Sequence, residues 1–141
     1  MRSYVLDANA LLIFLIGRPG ANRVGRLLDQ AKRQGVRVFL SAVSWGEVVY
    51  SLWKARGEAE ARNLVRRVGD LPLTVIATDQ ERANLAGELK VIHGLGYADS
   101  FAAGLAMELR ATLLTADPDF RKVGSKLKVE FLPQHVSTTN N

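Results

Sequence analysis

The 141-residue chain predicts a single α/β domain built on a parallel sheet. Three observations carry that prediction. Short runs rich in β-branched and aliphatic residues alternate with stretches of helical periodicity, and strands that alternate with helices are joined by the crossovers that make parallel sheets. Those runs are apolar almost throughout instead of alternating, as strands covered on both faces are. The length suits one domain with a sizeable core and is short for two.

The elements follow in order. Residues 3–6 (SYVL) are the first expected strand, and a brief helix over 9–16 ends at GRPG. From 21 to 34, Val24, Leu27, Leu28 and Ala31 recur at the spacing of one helical face, which Gly35 closes. VRVFLSAV (36–43) reads as strand two. Ser44-Trp45-Gly46-Glu47 opens a helix to about 56, Gly57 breaks it, and EAEARNLVRRVGD supplies another. LTVIA (73–77) is strand three, Thr78-Asp79-Gln80-Glu81 opens a helix to about 93, GLGYAD turns, and 98–110 is helical. ATLLT (111–115) is strand four, DPDF a loop or turn, and KVEFL (128–132) strand five. The domain is expected to span 1–133, with 134–141 as a flexible tail. There is no internal repeat, and GLG is not a phosphate-binding fingerprint because no strand precedes it.

Composition removes several function classes. Hydrophobic residues make up 48%, which excludes a disordered chain. The longest apolar run, LLIFLIG, falls far short of the roughly 20 residues of a membrane span. Asp7 interrupts the apolar region a signal peptide would need, and no small-residue cleavage site follows, so a cytoplasmic location is expected. The absence of cysteine excludes disulfides, thiolate zinc sites and a cysteine nucleophile, and two histidines are too few for a multi-histidine zinc site. Nineteen basic against fourteen acidic residues give +5, a balance that favours a polyanionic partner.

Chemistry must therefore rest on carboxylates, hydroxyls, amides and cations. Asp7 follows strand one directly, at the carboxyl end where open parallel sheets bind ligands; as an N-cap of the next helix it would do ordinary work, although Asn9 is an equally good cap. Glu47 stands three residues after Ser44, the spacing of a capping box, and Thr78 and Glu81 repeat that spacing. Asp99 lies in the first turn of an apolar helix whose Ala102, Ala103 and Gly104 imply close packing, where the helix dipole favours a negative charge. Asp117 and Asp119 flank Pro118 in common turn chemistry, yet Asp117 shares the strand-end address of Asp7. Each bland reading suffices alone. Together the four positions would bring like charges to one place and raise one another's pKa, a conflict that an oxygen-loving divalent cation such as Mg²⁺ or Mn²⁺ removes.

YVLDANALL, SAVSWGEVVYSLWKARG and GLGYADSFAAGLAMELRATLLTADPDF, in that order and spacing, resemble the PIN domain and, more narrowly, the toxin ribonucleases of VapBC toxin–antitoxin modules. The resemblance covers residues 3 to about 132. It implies a three-layer α/β/α fold with a five-stranded parallel sheet of order 3-2-1-4-5, in which Asp7 and Asp117 flank the point where strand order reverses. The family's acidic positions fall on Asp7, Glu47, Asp99 and Asp117; Asp119 matches a more variable acidic position, and Asn9, Ser100 and Thr115 match polar supports of the pocket.

The implied activity is hydrolysis of RNA phosphodiester bonds, leaving a 5′-phosphate and a 3′-hydroxyl, with one or two Mg²⁺ or Mn²⁺ ions held by Asp7, Asp99 and Asp117 and with Glu47 completing the site or orienting the attacking water. Lys54, Arg56 and Arg121 lie near the motif-bearing elements and are candidates to grip the RNA backbone. Trp45 and Trp53 are expected to pack in a core or interface, not to stack on bases. The resemblance also implies a homodimer and a cognate antitoxin that inserts a segment near the pocket, with LLIFLIG supplying part of such an interface. Two other readings compete. A non-enzymatic RNA-binding or scaffold domain would use the acids only as caps. An aspartyl-phosphate phosphotransfer domain fits Asp7 but wants a second acid where Asn9 stands.

Overall fold

The computed structural model describes residues 1–133; the tail expected at 134–141 lies outside the described residues. The elements are β1 (Arg2–Leu6), α1 (Ala8–Ile16), α2 (Ala21–Lys32), β2 (Val36–Ser41), α3 (Ala42–Arg56), α4 (Glu58–Val68), β3 (Thr74–Ile76), α5 (Gln80–His93), α6 (Tyr97–Leu109), β4 (Thr112–Thr115), a 3-10 segment (Pro118–Lys126) and β5 (Val129–Phe131). The five strands pair in the order β3-β2-β1-β4-β5, all parallel, as expected. Among the described residues no helix is long and apolar enough to cross a membrane.

Strand alternation divides the molecule into three layers. Tyr4, Leu6, Val38, Leu40 and Leu114 point to one face, where they pack with side chains of α1, α2, α3 and α4. Val5, Phe39, Leu113 and Ile76 point to the other, against α5, α6 and the 3-10 segment. Both faces are covered, which is why these strands read as continuous apolar runs. α6 lies tightly on α5: a Cβ at Gly104 would come within 3.2 Å of Leu85. The whole stretch Ser100–Ala106 of α6 is buried, so the expected close packing holds. The apolar surplus of α1 is used in the same way, with Leu12, Phe14 and Ile16 packed against the first core. A two-bond ion pair from Arg23 on α2 to Glu130 on β5, at 2.6 and 3.0 Å, ties the last strand to the helical layer.

Several boundaries differ from the sequence reading, each for a local reason. β2 stops at Ser41, whose Oγ accepts the Val43 N–H at 3.2 Å and caps α3; Ala42 and Val43 are helical despite the strand propensity of valine. Ser44 is then inside α3 and buried, so the capping box expected between Ser44 and Glu47 does not form. The box expected between Thr78 and Glu81 is also replaced, because Asp79 caps α5 by accepting the Arg82 N–H at 2.9 Å. Asn9 does not cap either: it lies exposed in the first turn of α1, which Asp7 caps. DPDF enters the 3-10 segment, broken at Gly124 by its φ of 74° and ψ of −149°.

Candidate active site

The register of the central strands builds the site. β1 and β4 pair with Leu6 beside Leu114, and the Asp7 N–H continues the ladder to the Leu114 carbonyl at 3.4 Å. The next residues along, Asp7 and Thr115, therefore emerge side by side at the carboxyl ends of the strands, where the order reverses between β1 and β4. Both are buried, Asp7 at 3% exposure and Thr115 at 0%. One Asp7 oxygen accepts the Ala10 N–H at 2.7 Å as the N-cap of α1, and the other accepts the Thr115 hydroxyl. The cap reading of Asp7 is thus correct for one oxygen and leaves the second facing β4.

Thr115 holds the next position as well. Its Oγ accepts the backbone N–H of Asp117 at 2.9 Å, and Asp117 in turn caps the 3-10 segment by accepting the Asp119 N–H at 2.9 Å. A chain of hydrogen bonds runs from the turn through Thr115 to the Asp7 carboxylate. Asp99 comes from the first turn of α6, whose N-cap is Gly96. A Cβ at Gly96 would lie 3.4 Å from Oδ2 of Asp99, so the carboxylate folds back beside the start of its own helix. Glu47 is half-buried on α3, which packs against α6.

The electrostatics join these groups into one cluster. Burial pushes the Asp7 carboxyl up to about 7 against the hydrogen bonds from Thr115 and Ala10, and the charges of Asp99 and Asp117 push it further. Asp99 is pushed up to about 6 by burial and by Asp117, Glu47 and Asp119. Burial also raises Glu47. Among the described residues no three acidic side chains already converge on one cation position. The donor chemistry nonetheless suits a hard divalent ion, because the set is all oxygen and its members repel one another without a counter-charge. The residues that could hold such an ion are Asp7, Asp99 and Asp117, with Glu47 and Asp119 at the edge.

The remaining expected residues divide. The Ser100 hydroxyl, fully buried, donates to the Gly96 carbonyl at 2.9 Å one turn back, toward its own helix and not toward the carboxylates. Asn9 lines an open groove together with Ile13, Arg18, Pro19, Ala116, Asp117 and Pro118. Arg56 pairs with Glu60 at 3.4 Å, Arg121 stacks over the Phe131 ring at 4.3 Å, and Lys54 is exposed on the last turn of α3. Trp45 packs against the first core, and Trp53 lies under the guanidinium of Arg62 at 5.0 Å. The sequence reading missed Gly96 as the N-cap of α6, which starts at Tyr97 and not at 98. It also missed Arg18, which GRPG presented only as a turn.

Comparison with known proteins agrees with the fold. The family model described as PIN domain matches residues 4–126. No curated protein matches the chain significantly. Solved structures match over nearly the whole length. VapBC2 from Rickettsia felis, bound to a DNA fragment from its promoter, gives a TM-score of 0.76 at 20% identity, covering 93% of this chain and 99% of that one. DNA-bound VapBC from Salmonella typhimurium gives 0.74 at 19%, covering 93% and 98%. VapC20 from Mycobacterium tuberculosis, described as a sarcin-ricin loop cleaving toxin, gives 0.69 at 18%, covering 92% and 99%. At these identities the likeness is one of fold.

Proposed function

The chain belongs to the PIN domain family, and from that premise we propose that it is a divalent-metal-dependent endoribonuclease, the toxin of a toxin–antitoxin pair. The observation that carries the reading is the buried Asp7 carboxylate at the end of β1, joined through Thr115 to the backbone of Asp117 on β4's exit, with the charges of Asp99 and Asp117 acting on it. Capping accounts for one oxygen each of Asp7 and Asp117; it does not account for the charges of Asp99 and Asp117 acting on a buried Asp7, which a cation site does.

Asp7, Asp99 and Asp117 would hold Mg²⁺ or Mn²⁺. An ion of that kind supplies Lewis-acid activation of water and of a phosphoryl group. The chain's own residues do the rest. Thr115 fixes the rotamer of Asp7 and, through the Asp117 N–H, the start of the following turn. Gly96 begins the α6 turn that presents Asp99. Glu47, with its pKa raised by burial, takes a proton from the attacking water as that water's oxygen bonds to phosphorus. The phosphorus–O3′ bond breaks and the departing O3′ takes up a proton from a solvent water, leaving a 5′-phosphate and a 3′-hydroxyl. Asn9 and Asp119 border this centre, and Ser100 braces the α6 turn that presents Asp99. Lys54, Arg56 and Arg121 are weaker candidates for the RNA backbone, since Arg56 and Arg121 already hold partners.

A cognate antitoxin belongs to the same reading, supported by structural neighbours that were solved as VapBC assemblies. A homodimer does too, and the exposed Val91 and Ile92 at the end of α5 are apolar surface that such an interface would cover. The domain limits 1–133 and a cytoplasmic location complete the proposal. Incubating the purified chain with labelled RNA and Mn²⁺ or Mg²⁺, with and without EDTA, tests it. Cleavage that EDTA stops and Asp99→Asn abolishes is the expected result. RNA binding without cleavage would favour the scaffold reading, and cleavage indifferent to Asp99→Asn would refute the site.

A further inference from the structure

Arg18 has its backbone held in a tight turn beside the groove that Asp117 lines. Its backbone is pinned on both sides: its N–H donates to the Ile13 carbonyl at 3.0 Å, and its carbonyl accepts the Ala21 N–H at 2.9 Å. Gly17, in the left-handed region at φ 72°, precedes it, and Pro19 follows with a fixed φ. Its side chain lines the groove with Asn9, Ala116, Asp117 and Pro118 and is the only cation among the lining residues. Arg18 is exposed and makes no ion pair among the described residues. The turn fixes where Arg18 leaves the backbone, and its exposed guanidinium stands without an ion-pair partner among the described residues, in the groove that Asp117 lines. A planar guanidinium on a rigid turn is suited to bidentate recognition of a phosphate.

We infer that Arg18 and the groove beside Asp117 form a phosphate subsite, which grips the RNA backbone next to the scissile phosphate. The inference rests on the ribonuclease reading and deepens it. The carboxylates by themselves repel a polyanion, and a cation lining the same groove as Asp117 gives the strand a fixed direction across them. Asn9, in the same groove, adds an amide donor to the contact.

The test uses the whole chain and a 5′-fluorescein-labelled single-stranded RNA of mixed sequence. Arg18→Ala is expected to raise KM about tenfold, the scale of one charge-assisted hydrogen bond to phosphate, while kcat changes less than about twofold. The slope of log KM against log salt should fall by about one. Arg18→Lys should keep the salt slope but recover only part of the affinity, since an ammonium lacks the fork. Melting temperature should be unchanged in both variants. Fluorescence anisotropy with the Asp99→Asn chain, without added metal, should show the same loss of RNA binding when Arg18→Ala is introduced. Unchanged KM, salt slope and anisotropy would overturn the subsite, including the case in which a protein segment occupies the groove. If the unmodified chain cleaves no RNA, the ribonuclease reading fails separately, and anisotropy alone decides whether Arg18 holds RNA.

Discussion

The hydroxyl of Thr115 donates to the buried carboxylate of Asp7 across the β4–β1 pair. The same oxygen accepts the backbone N–H of Asp117 at 2.9 Å, so one small side chain positions two acids from opposite ends of the sequence. Replacing it with valine keeps the shape and removes both bonds. Thr115→Val is expected to lose about 1–3 kcal/mol in urea unfolding, because buried partners are left unpaired. Metal affinity should fall about 10- to 100-fold, the usual effect of losing a group that orients a ligand, and Thr115→Ser should retain most of both. Mn²⁺ titration calorimetry checks the second effect; equal affinity for Thr115→Val and the unmodified chain would remove Thr115 from the account.

The acids also set a pH dependence. Asp7 is raised from 3.8 to about 7, mainly by burial, and Asp99 to about 6 for the same leading reason. A carboxyl whose folded pKa is raised gives stability that is complete below its unfolded value and lost as pH climbs through the folded one. The metal-free protein should therefore melt at lower temperature as pH rises from about 4 to 7. Asp7→Asn should flatten that slope, and saturating Mn²⁺ should reverse it, since the ion binds the ionised acids. A metal-free melting profile that is flat across this range would show that Asp7 and Asp99 are not held above their ordinary pKa in the fold.

Glu47 and the true cap of α3 can be separated. Ser41→Ala should cost about 1 kcal/mol, as loss of a helix cap does. Glu47→Gln should leave stability within about 0.5 kcal/mol, because no capping box uses it, yet lower the cleavage rate strongly. Chemical denaturation and RNA cleavage assays on the two variants distinguish these roles. A cap-sized stability loss from Glu47→Gln would restore the capping reading.

The fold was largely legible because its information is local: apolar runs set the strands, and periodicity and glycines set most helix limits. Asp7 and Asp117 are visible as acids at strand ends where ligands bind in such sheets, and Asp99 as a first-turn acid of a helix that could flank them. The sequence misplaced the start of α3 because two serines, Ser41 and Ser44, both suit a cap, and only the pairing length of β2 decides between them. Thr115 was expected as a support, but its bridging bonds depend on the β1–β4 register, a contact across more than a hundred residues. Arg18 could not be read from GRPG, since a turn does not disclose what its side chain faces.

A distant ion pair supplies a contrast. Arg23 and Glu130 join α2 to β5 at 2.6 Å, with side chains 25% and 34% exposed. Solvent screening limits such a pair to about 1 kcal/mol or less. Arg23→Ala should lower stability by that order and leave kcat and KM for RNA unchanged. A large loss of cleavage in a folded Arg23→Ala chain would mean the active geometry depends on the β5 edge.

The rate of RNA cleavage by Asp7→Asn at saturating Mn²⁺, against that of the unmodified chain, tests the central claim most directly. Asparagine keeps the size and the cap to Ala10 while removing the buried charge. The account predicts a folded protein, at least as stable as the original without metal at pH 8, that cleaves at least about a hundredfold more slowly. A folded Asp7→Asn chain that cleaves at the original rate would contradict it.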